Sequence, residues 1–469
     1  MTRSKPEAAY EPTPDRVTAQ IGTETRVGLV DEVPALVVAW SLREPERVGE
    51  VMLFDDYTPR VIGRGGPRAD DGAPRAAFSR QRPGGLERRP ALDGASLSRR
   101  HVRLTPDTDG IAIERLSKGT VVIDGELSDA GFISPGGTLM LSNELVLVCE
   151  RRPSRLIAGA MPAGTSFPFG GTDPAGLTGE TPAAWRLRDQ ARFVAGAGSP
   201  LLIYGPSGAG KEVVARAVHH ASAWKDRPMV MLSGATLTRA DLELVQVRTD
   251  GPFVVIDELT EVPSEMQPHL LRTINHTLGL PLPRPRIVAT SAASTSAAAE
   301  NVRADLLSRF ILSLRVPSLD ERRADIPLLI RAILRDIAPE QPEVARRFFS
   351  ALPGAESEGG HPQGEPRLTP RFLDLLVRHS WQANVRELTS LLWSSMTTAV
   401  TPFLDATAEV MAQLRDTNET FNDPNALDAR SVRQALDSAD GRVVVAARML
   451  GLKNRWVLYR LMEKLDIRA

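Results

Sequence analysis

Residues 201–216 read LLIYGPSGAGKEVVAR. Leu201–Tyr204 is a short apolar run with the look of a buried strand. The glycine-rich turn GPSGAGK follows, and a helix opens at Lys211-Glu212-Val213-Val214. The pattern is G-x-x-x-x-G-K, fixed at Gly205, Gly210 and Lys211, with Ser207 and Gly208 inside the loop. Glycines let successive backbone N–H groups turn inward, the helix N-terminus adds its positive dipole end, and a lysine reaches the outer phosphates of a nucleotide. Serine or threonine usually follows that lysine and holds Mg²⁺. Glu212 stands there instead, so magnesium must be held otherwise.

Downstream, PMVML (228–232) reads as a strand, and GPFVVIDEL (251–259) as a buried strand ending in Asp257-Glu258. Acids at the end of a strand that follows a phosphate loop form the expected partner site. Asp257 would orient Mg²⁺ and Glu258 would activate the attacking water. A helix over Ala183–Ala195 precedes the loop. Strands alternating with helices predict a parallel, doubly wound α/β sheet with nucleotide at the strands' C-terminal ends. The α/β part is placed at 173–320 and a helical lid at 321–412. A Gly/Pro-rich loop insertion interrupts the lid at about 353–367.

The whole chain sets bounds. Its 469 residues favour about three domains. Lys+Arg of 57 against Asp+Glu of 58 gives a net charge of −1, so a nucleic-acid contact must come from a local patch. One cysteine, Cys149, supports no disulfide framework and fits a reducing cytosol. The polar leader, residues 1–30, has no apolar signal-peptide core, and no run of about 18 apolar residues occurs. A soluble, cytoplasmic, multidomain protein is expected.

Residues 31–152 carry short β-rich runs: ALVVAW, GEVMLF, PRVIGRG, HVRLT, GIAIERL, GTVVID, GTLMLS and ELVLVCE. Their spacing predicts an all-β sandwich, with a long loop between Gly65 and Leu97. Linkers are read at 153–172 and 413–427. Residues 428–469 hold three helical patterns in succession, ARSVRQALDSAD, RVVVAARMLG and NRWVLYRLMEKLDI. Short helices joined by glycine turns, the last rich in Arg and Lys, describe an all-α helix-turn-helix. Asn454, Arg455 and Trp456 open its recognition helix, and Lys453, Arg460 and Lys464 would meet DNA phosphates.

Several stretches together carry resemblances. GPSGAGKEVVARAVHHAS, VVIDELTEVPSEMQPHLLRTI, RADLLSRF, LDERRADIPLL and WQANVREL, in that order, resemble the AAA+ domain of bacterial enhancer-binding proteins. These are ATPases that activate sigma-54 RNA polymerase. The resemblance implies ATP and Mg²⁺, arginine fingers at Arg303 and Arg309 that reach a neighbouring subunit in a ring, and a sensor arginine at Arg386. Val61–Gly65, Leu97–His101 and Ser117–Thr120 resemble a forkhead-associated domain, a sandwich that reads phosphothreonine peptides. By that resemblance Arg64 and Ser98 hold the phosphate, Arg99 and Lys118 belong to the same site, and His101 braces the loops. The C-terminal helices resemble the Fis-type DNA-binding module.

Two departures stand against the family pattern. The connection from Leu232 to Phe253 contains no GAFTGA, the loop that grips sigma-54. Ser291 and Ala292 occupy the place of a polar Thr-Asn sensor pair. The leading expectation is a DNA-binding regulator of the sigma-54 activator type, with input from a phosphothreonine protein or Ser/Thr kinase. The alternative is a degenerate activator that binds ATP as a switch and does not remodel sigma-54.

Overall fold

The computed structural model describes residues 31–65, 74–92, 94, 96–157, 159, 167–281, 284–293, 298, 300–349, 364–418, 427–439, 443, 446, 450, 452, 455–465 and 467. Among these, no helix is long and apolar enough to cross a membrane.

The N-terminal part is an antiparallel sandwich. Its strands are β1 (Glu32–Ser41), β2 (Val51–Leu53), β3 (Arg60–Ile62), β4 (Ser79–Arg82), β5 (Gly85–Arg88) and β6 (Val102–Asp107), then β7 (Gly110–Arg115), β8 (Val121–Ile123), β9 (Glu126–Leu127), β10 (Ala130–Ile133), β11 (Thr138–Leu141) and β12 (Leu145–Pro153). One sheet runs β5-β4-β2-β1-β12-β11-β8-β9 and the other β10-β7-β6-β3. Leu36, Val38, Phe54, Ile62, Leu104, Ile111, Leu139 and Leu147 fill the space between them. On β6 the side chains alternate between buried and outward-facing, the period of two that one covered face demands. The long loop expected between Gly65 and Leu97 needs correction, because β4 and β5 form a hairpin inside it. Polar Ser79 and Gln81 are the inward residues of β4, so no apolar alternation marked it. The Gln81 amide nitrogen donates to the Pro153 carbonyl at 2.8 Å.

The central part is a five-stranded sheet of β13 (Leu201–Tyr204), β14 (Met229–Ser233), β15 (Phe253–Asp257), β16 (Arg286–Ser291) and β17 (Leu312–Arg315). Its order is β14-β15-β16-β13-β17 and every pairing is parallel. Helices α1 (Pro182–Ala195) and α2 (Lys211–Ala221) cover one face, packing Leu187, Val194, Val214 and Val218 on Leu201, Ile203 and Val255. Helices α3 (Arg239–Val247) and α4 (Gln267–Gly279) cover the other, packing Leu242, Val245, Leu270 and Ile274 on Leu202, Val254 and Ile256. The inner strands β13 and β15 are accordingly apolar along nearly their whole length, as a sheet covered on both faces requires. Thr181 caps α1 by accepting from Ala184 N, with Pro182 in the first turn.

The lid comprises helices Ile326–Ile337, Pro342–Phe348, Pro370–Arg378, Asn384–Thr398 and Ala408–Asn418, the last continuing past residue 412. Residues 353–363 of the expected insertion lie outside the described residues. The lid and the sandwich share one hydrophobic core. Ala39, Met140, Val146 and Val148 from the sandwich pack with Ile330, Phe372, Leu373, Leu376 and Leu388 from the lid. Thr138 Oγ1 donates to buried Asp374, whose other oxygen accepts from Arg378 at 2.6 Å. Arg331 donates to the Pro45 carbonyl at 3.0 Å.

At the C-terminus, helices Ala429–Ser438 and Arg455–Lys464 gather around Val432, Leu436, Leu450, Leu458 and Leu461. Most of the middle helical pattern, with Lys453 and Asn454, lies outside the described residues. Arg455, Trp456, Arg460 and Lys464 lie on the last helix.

Candidate functional site

The phosphate loop joins β13 to α2 at the C-terminal edge of the sheet. Gly210 is the N-cap of α2 at φ 99°, and Gly208 sits at φ 72°. A Cβ on Gly208 would lie 2.0 Å from the Ala383 carbonyl oxygen, so only glycine admits the lid this close. Lys211 is buried, and its Nζ donates to the Gly205 carbonyl at 3.2 Å and pairs with Glu258 Oε1 at 2.8 Å. Glu212 is not brought into this cluster. It is exposed and accepts from Arg216 at 2.9 Å on the outer side of α2.

Asp257 and Glu258 end β15 beside the loop. Glu258 adopts φ +53°, a left-handed conformation uncommon for a side chain of its size. Two groups that sequence reasoning missed hold these acids. Thr290, at the end of neighbouring β16, donates to Asp257 Oδ1 at 2.6 Å and accepts from Glu258 N at 3.0 Å. The backbone N–H of Ala292 donates to Glu258 Oε2 at 2.8 Å. Position 292 thus reaches the acid through its main chain, which any residue but proline supplies. Ser291 turns away, its hydroxyl donating to the Ala293 carbonyl at 2.9 Å. A threonine closing an apolar strand next to the acidic strand was the available signal.

From the lid, Arg386 donates to Ser207 Oγ at 3.2 Å, which brings together two residues singled out separately in the sequence. Asn384 does more. Buried and at φ +54°, it donates to the Ser207 carbonyl at 2.9 Å and accepts from Leu319 N at 2.7 Å. Val385 N donates to the Gly208 carbonyl at 3.0 Å. Buried Arg322 adds a bond to the Ala209 carbonyl at 3.2 Å. The lid is therefore fastened directly onto the phosphate loop. Arg303 and Arg309 are exposed; Arg303 pairs with Asp305 at 2.6 Å, and its backbone N–H donates to Gln267 Oε1 at 2.9 Å at the start of α4.

Among the described residues no cluster of three or more His, Cys, Asp or Glu could hold a metal alone. Two adjacent acids beside a phosphate cradle fit Mg²⁺ carried by a nucleotide, since Mg²⁺ binds through one or two carboxylates plus substrate phosphates.

In the sandwich, three loops converge. Arg64 N donates to the Ser98 carbonyl at 3.2 Å, and His101 N to the Ile62 carbonyl at 2.8 Å. His101, fully buried, accepts from Ser98 N at 3.3 Å, and its other ring nitrogen lies 3.4 Å from the Thr120 carbonyl. Burial pushes the His101 pKa down, so the imidazole is neutral. Arg64, Arg99 and Lys118 are exposed around this junction, and Ser98 is half-buried. Asp124 does not face it, because its carboxylate accepts from Thr138 N at 2.9 Å at the opposite end of β8.

These geometries define a parallel α/β phosphate-loop domain with a helical lid. Residues 178–319 match the model of the family described as "Sigma-54 interaction domain". Over these residues the central part of the chain is similar to the sigma-54 interaction domain of AAA+ enhancer-binding proteins. Similar proteins include the transcriptional regulatory protein ZraR of Salmonella typhimurium, 26% identical over 347 residues, covering 66% of this chain and 73% of that one. The Nif-specific regulatory protein of Azotobacter vinelandii is 30% identical over 329 residues, covering 61% of this chain and 58% of that one. The crystal structure of NtrX from Brucella abortus in complex with ADP aligns with 25% identity and a TM-score of 0.40, over 63% of this chain and 70% of that one.

Proposed function

We propose that this chain is a nucleotide-driven transcription regulator of the sigma-54 activator type, anchored to DNA by its C-terminal helices and informed by a phosphothreonine-reading sandwich. The observation that carries the reading is the Lys211–Glu258–Asp257–Thr290 cluster, set at the C-terminal ends of parallel strands under a lid that touches the phosphate loop. ATP would lie along the loop from Gly205 to Lys211, with Mg²⁺ between its phosphates and Asp257. When bound, the nucleotide supplies the scissile phosphoanhydride.

The protein's own work is to position and to neutralise charge. In the present arrangement Lys211 and Glu258 neutralise each other. With Lys211 turned toward nucleotide phosphates, Glu258 would be free to orient water while the Ala292 amide still steers it. Exposed Arg303 and Arg309 are available to the nucleotide of a neighbouring copy, which supports ring assembly. Relatives named as transcriptional regulators support the transcriptional role.

A second reading rests on one observation. Between β14 and β15 the chain holds only the nine-residue α3 and no GAFTGA sequence. The protein would then bind ATP as a switch and regulate transcription without remodelling sigma-54.

A titration with fluorescent ADP and a steady-state ATPase assay, each with and without sigma-54, test both. Lys211→Ala is expected to abolish nucleotide binding. Glu258→Gln is expected to retain binding and lose turnover. Failure of the wild-type chain to bind nucleotide sinks both readings. Binding without turnover, and no retention of sigma-54 with an ADP–metal-fluoride analogue, leaves only the second.

A further inference from the structure

The stretch between Gly65 and Leu97 delivers one residue back to the loop junction of the sandwich. Pro74 and Arg75 return alongside β3, with Val61 N donating to the Pro74 carbonyl at 3.0 Å and Ala76 N to the Val61 carbonyl at 2.9 Å. Arg75 is 6% exposed, although it stands among residues carrying an exposed arginine and lysine. Its Nη1 donates to the Arg99 carbonyl at 2.5 Å. The other arm of the fork, Nη2, lies 3.7 Å from where a Cβ on Gly65 would stand. Arg99 O is also the atom that crowds Gly63, at 2.3 Å from a hypothetical Cβ there. One buried guanidinium therefore sits where the loop bearing Arg64 and the loop bearing Ser98 and Arg99 come closest.

We propose that Arg75 is a positioning residue of a phosphopeptide site formed by these loops. The inference rests on the phosphothreonine reading of the sandwich. A planar fork with fixed donors holds a carbonyl in one place better than a flexible ammonium does. By gripping the Arg99 carbonyl from beneath, Arg75 fixes the spacing between the Arg64 side chain and the Ser98 hydroxyl. It also adds a permanent positive charge behind a pocket meant for a dianion. Three exposed cations, Arg64, Arg99 and Lys118, then face the ligand while Arg75 holds their scaffold.

The test uses the full-length chain and an oriented phosphothreonine-peptide library, followed by titration calorimetry with the captured peptide. Arg75→Ala is expected to weaken affinity by about tenfold or more, with stoichiometry unchanged at one peptide per chain and ADP affinity unaltered. A merely structural role would instead lower the competent fraction and leave the affinity of the remainder as it was. Should Arg75→Ala not fold, Arg75→Lys decides, since it keeps the charge and loses the fork. Affinity within about twofold of wild type in the folded variant overturns the proposal, as does a fall in stoichiometry at unchanged affinity. Arg64→Ala separates the two levels. Loss of capture in Arg64→Ala with full capture in Arg75→Ala removes only the role of Arg75. A wild-type chain that captures no phosphothreonine peptide overturns the reading and this inference together.

Discussion

Asn384 offers a quantitative test of how the lid is held on the phosphate loop. Replacement by alanine removes two buried hydrogen bonds, to the Ser207 carbonyl and from Leu319 N, each contributing about 1 kcal/mol. It also leaves a Cβ without a compensating polar group at φ +54°, which costs about 1 kcal/mol more. The total for Asn384→Ala is about 3 kcal/mol. Asn384→Gly loses the bonds but tolerates the backbone, so about 2 kcal/mol is expected. Native-state hydrogen exchange of the lid helix Asn384–Thr398 reads this directly as a local opening. Exchange there should speed up about 150-fold in the alanine variant and about 30-fold in the glycine variant. Amides of β15, an interior strand of the parallel sheet, should keep their protection. Nucleotide affinity should fall in the same order, because the lid and the loop form one wall of the cleft. A glycine variant no better protected than alanine would refute the backbone argument. Unchanged exchange in both would refute the latch itself.

Two further outcomes follow from buried titratable groups. His101 has a folded pKa below the ordinary 6.5 because burial disfavours its charged form. Its contribution to stability is therefore present above pH 6.5 and is lost as pH falls below it through the lower folded value. Thermal melts of the sandwich between pH 7 and 5 should show this loss, and His101→Gln should flatten it. Cys149 is wholly buried on β12, and burial pushes its thiol pKa far up. A thiol reagent at pH 8 should find no reactive cysteine in the native chain and one after denaturation. Labelling of the native protein at the unfolded rate would contradict that placement.

Much of the central site was legible because its chemistry is local in sequence. GPSGAGK needs glycines at set intervals, and an apolar strand ending in Asp-Glu announces its partner. Thr290, Asn384 and Arg75 were not legible for a common reason. Each acts through a bond to a segment distant in the chain, and a lone Thr, Asn or Arg carries no spacing pattern. Glu212 illustrates the converse, since its place after Lys211 suggested the cleft while α2 turns it outward to Arg216. The hairpin of β4 and β5 was hidden because Ser79 and Gln81, its inward residues, are polar. Docking of the sandwich on the lid left a trace that reasoning from alternation passed over. Thr138–Leu141 and Leu145–Cys149 are buried at every position, so both faces of that sheet region are covered.

That shared core also bears on how the chain is made. Val146 and Val148 leave the ribosome with the sandwich, but Phe372, Leu373 and Leu376, which cover them, follow 224 to 230 residues later. At typical elongation rates the interval is roughly 10–40 s. Throughout it the sandwich presents an uncovered apolar sheet face to the cell, a surface suited to chaperone capture. The sandwich and lid are neighbours in space but distant in synthesis, so the nascent chain must shield a face that the finished protein conceals.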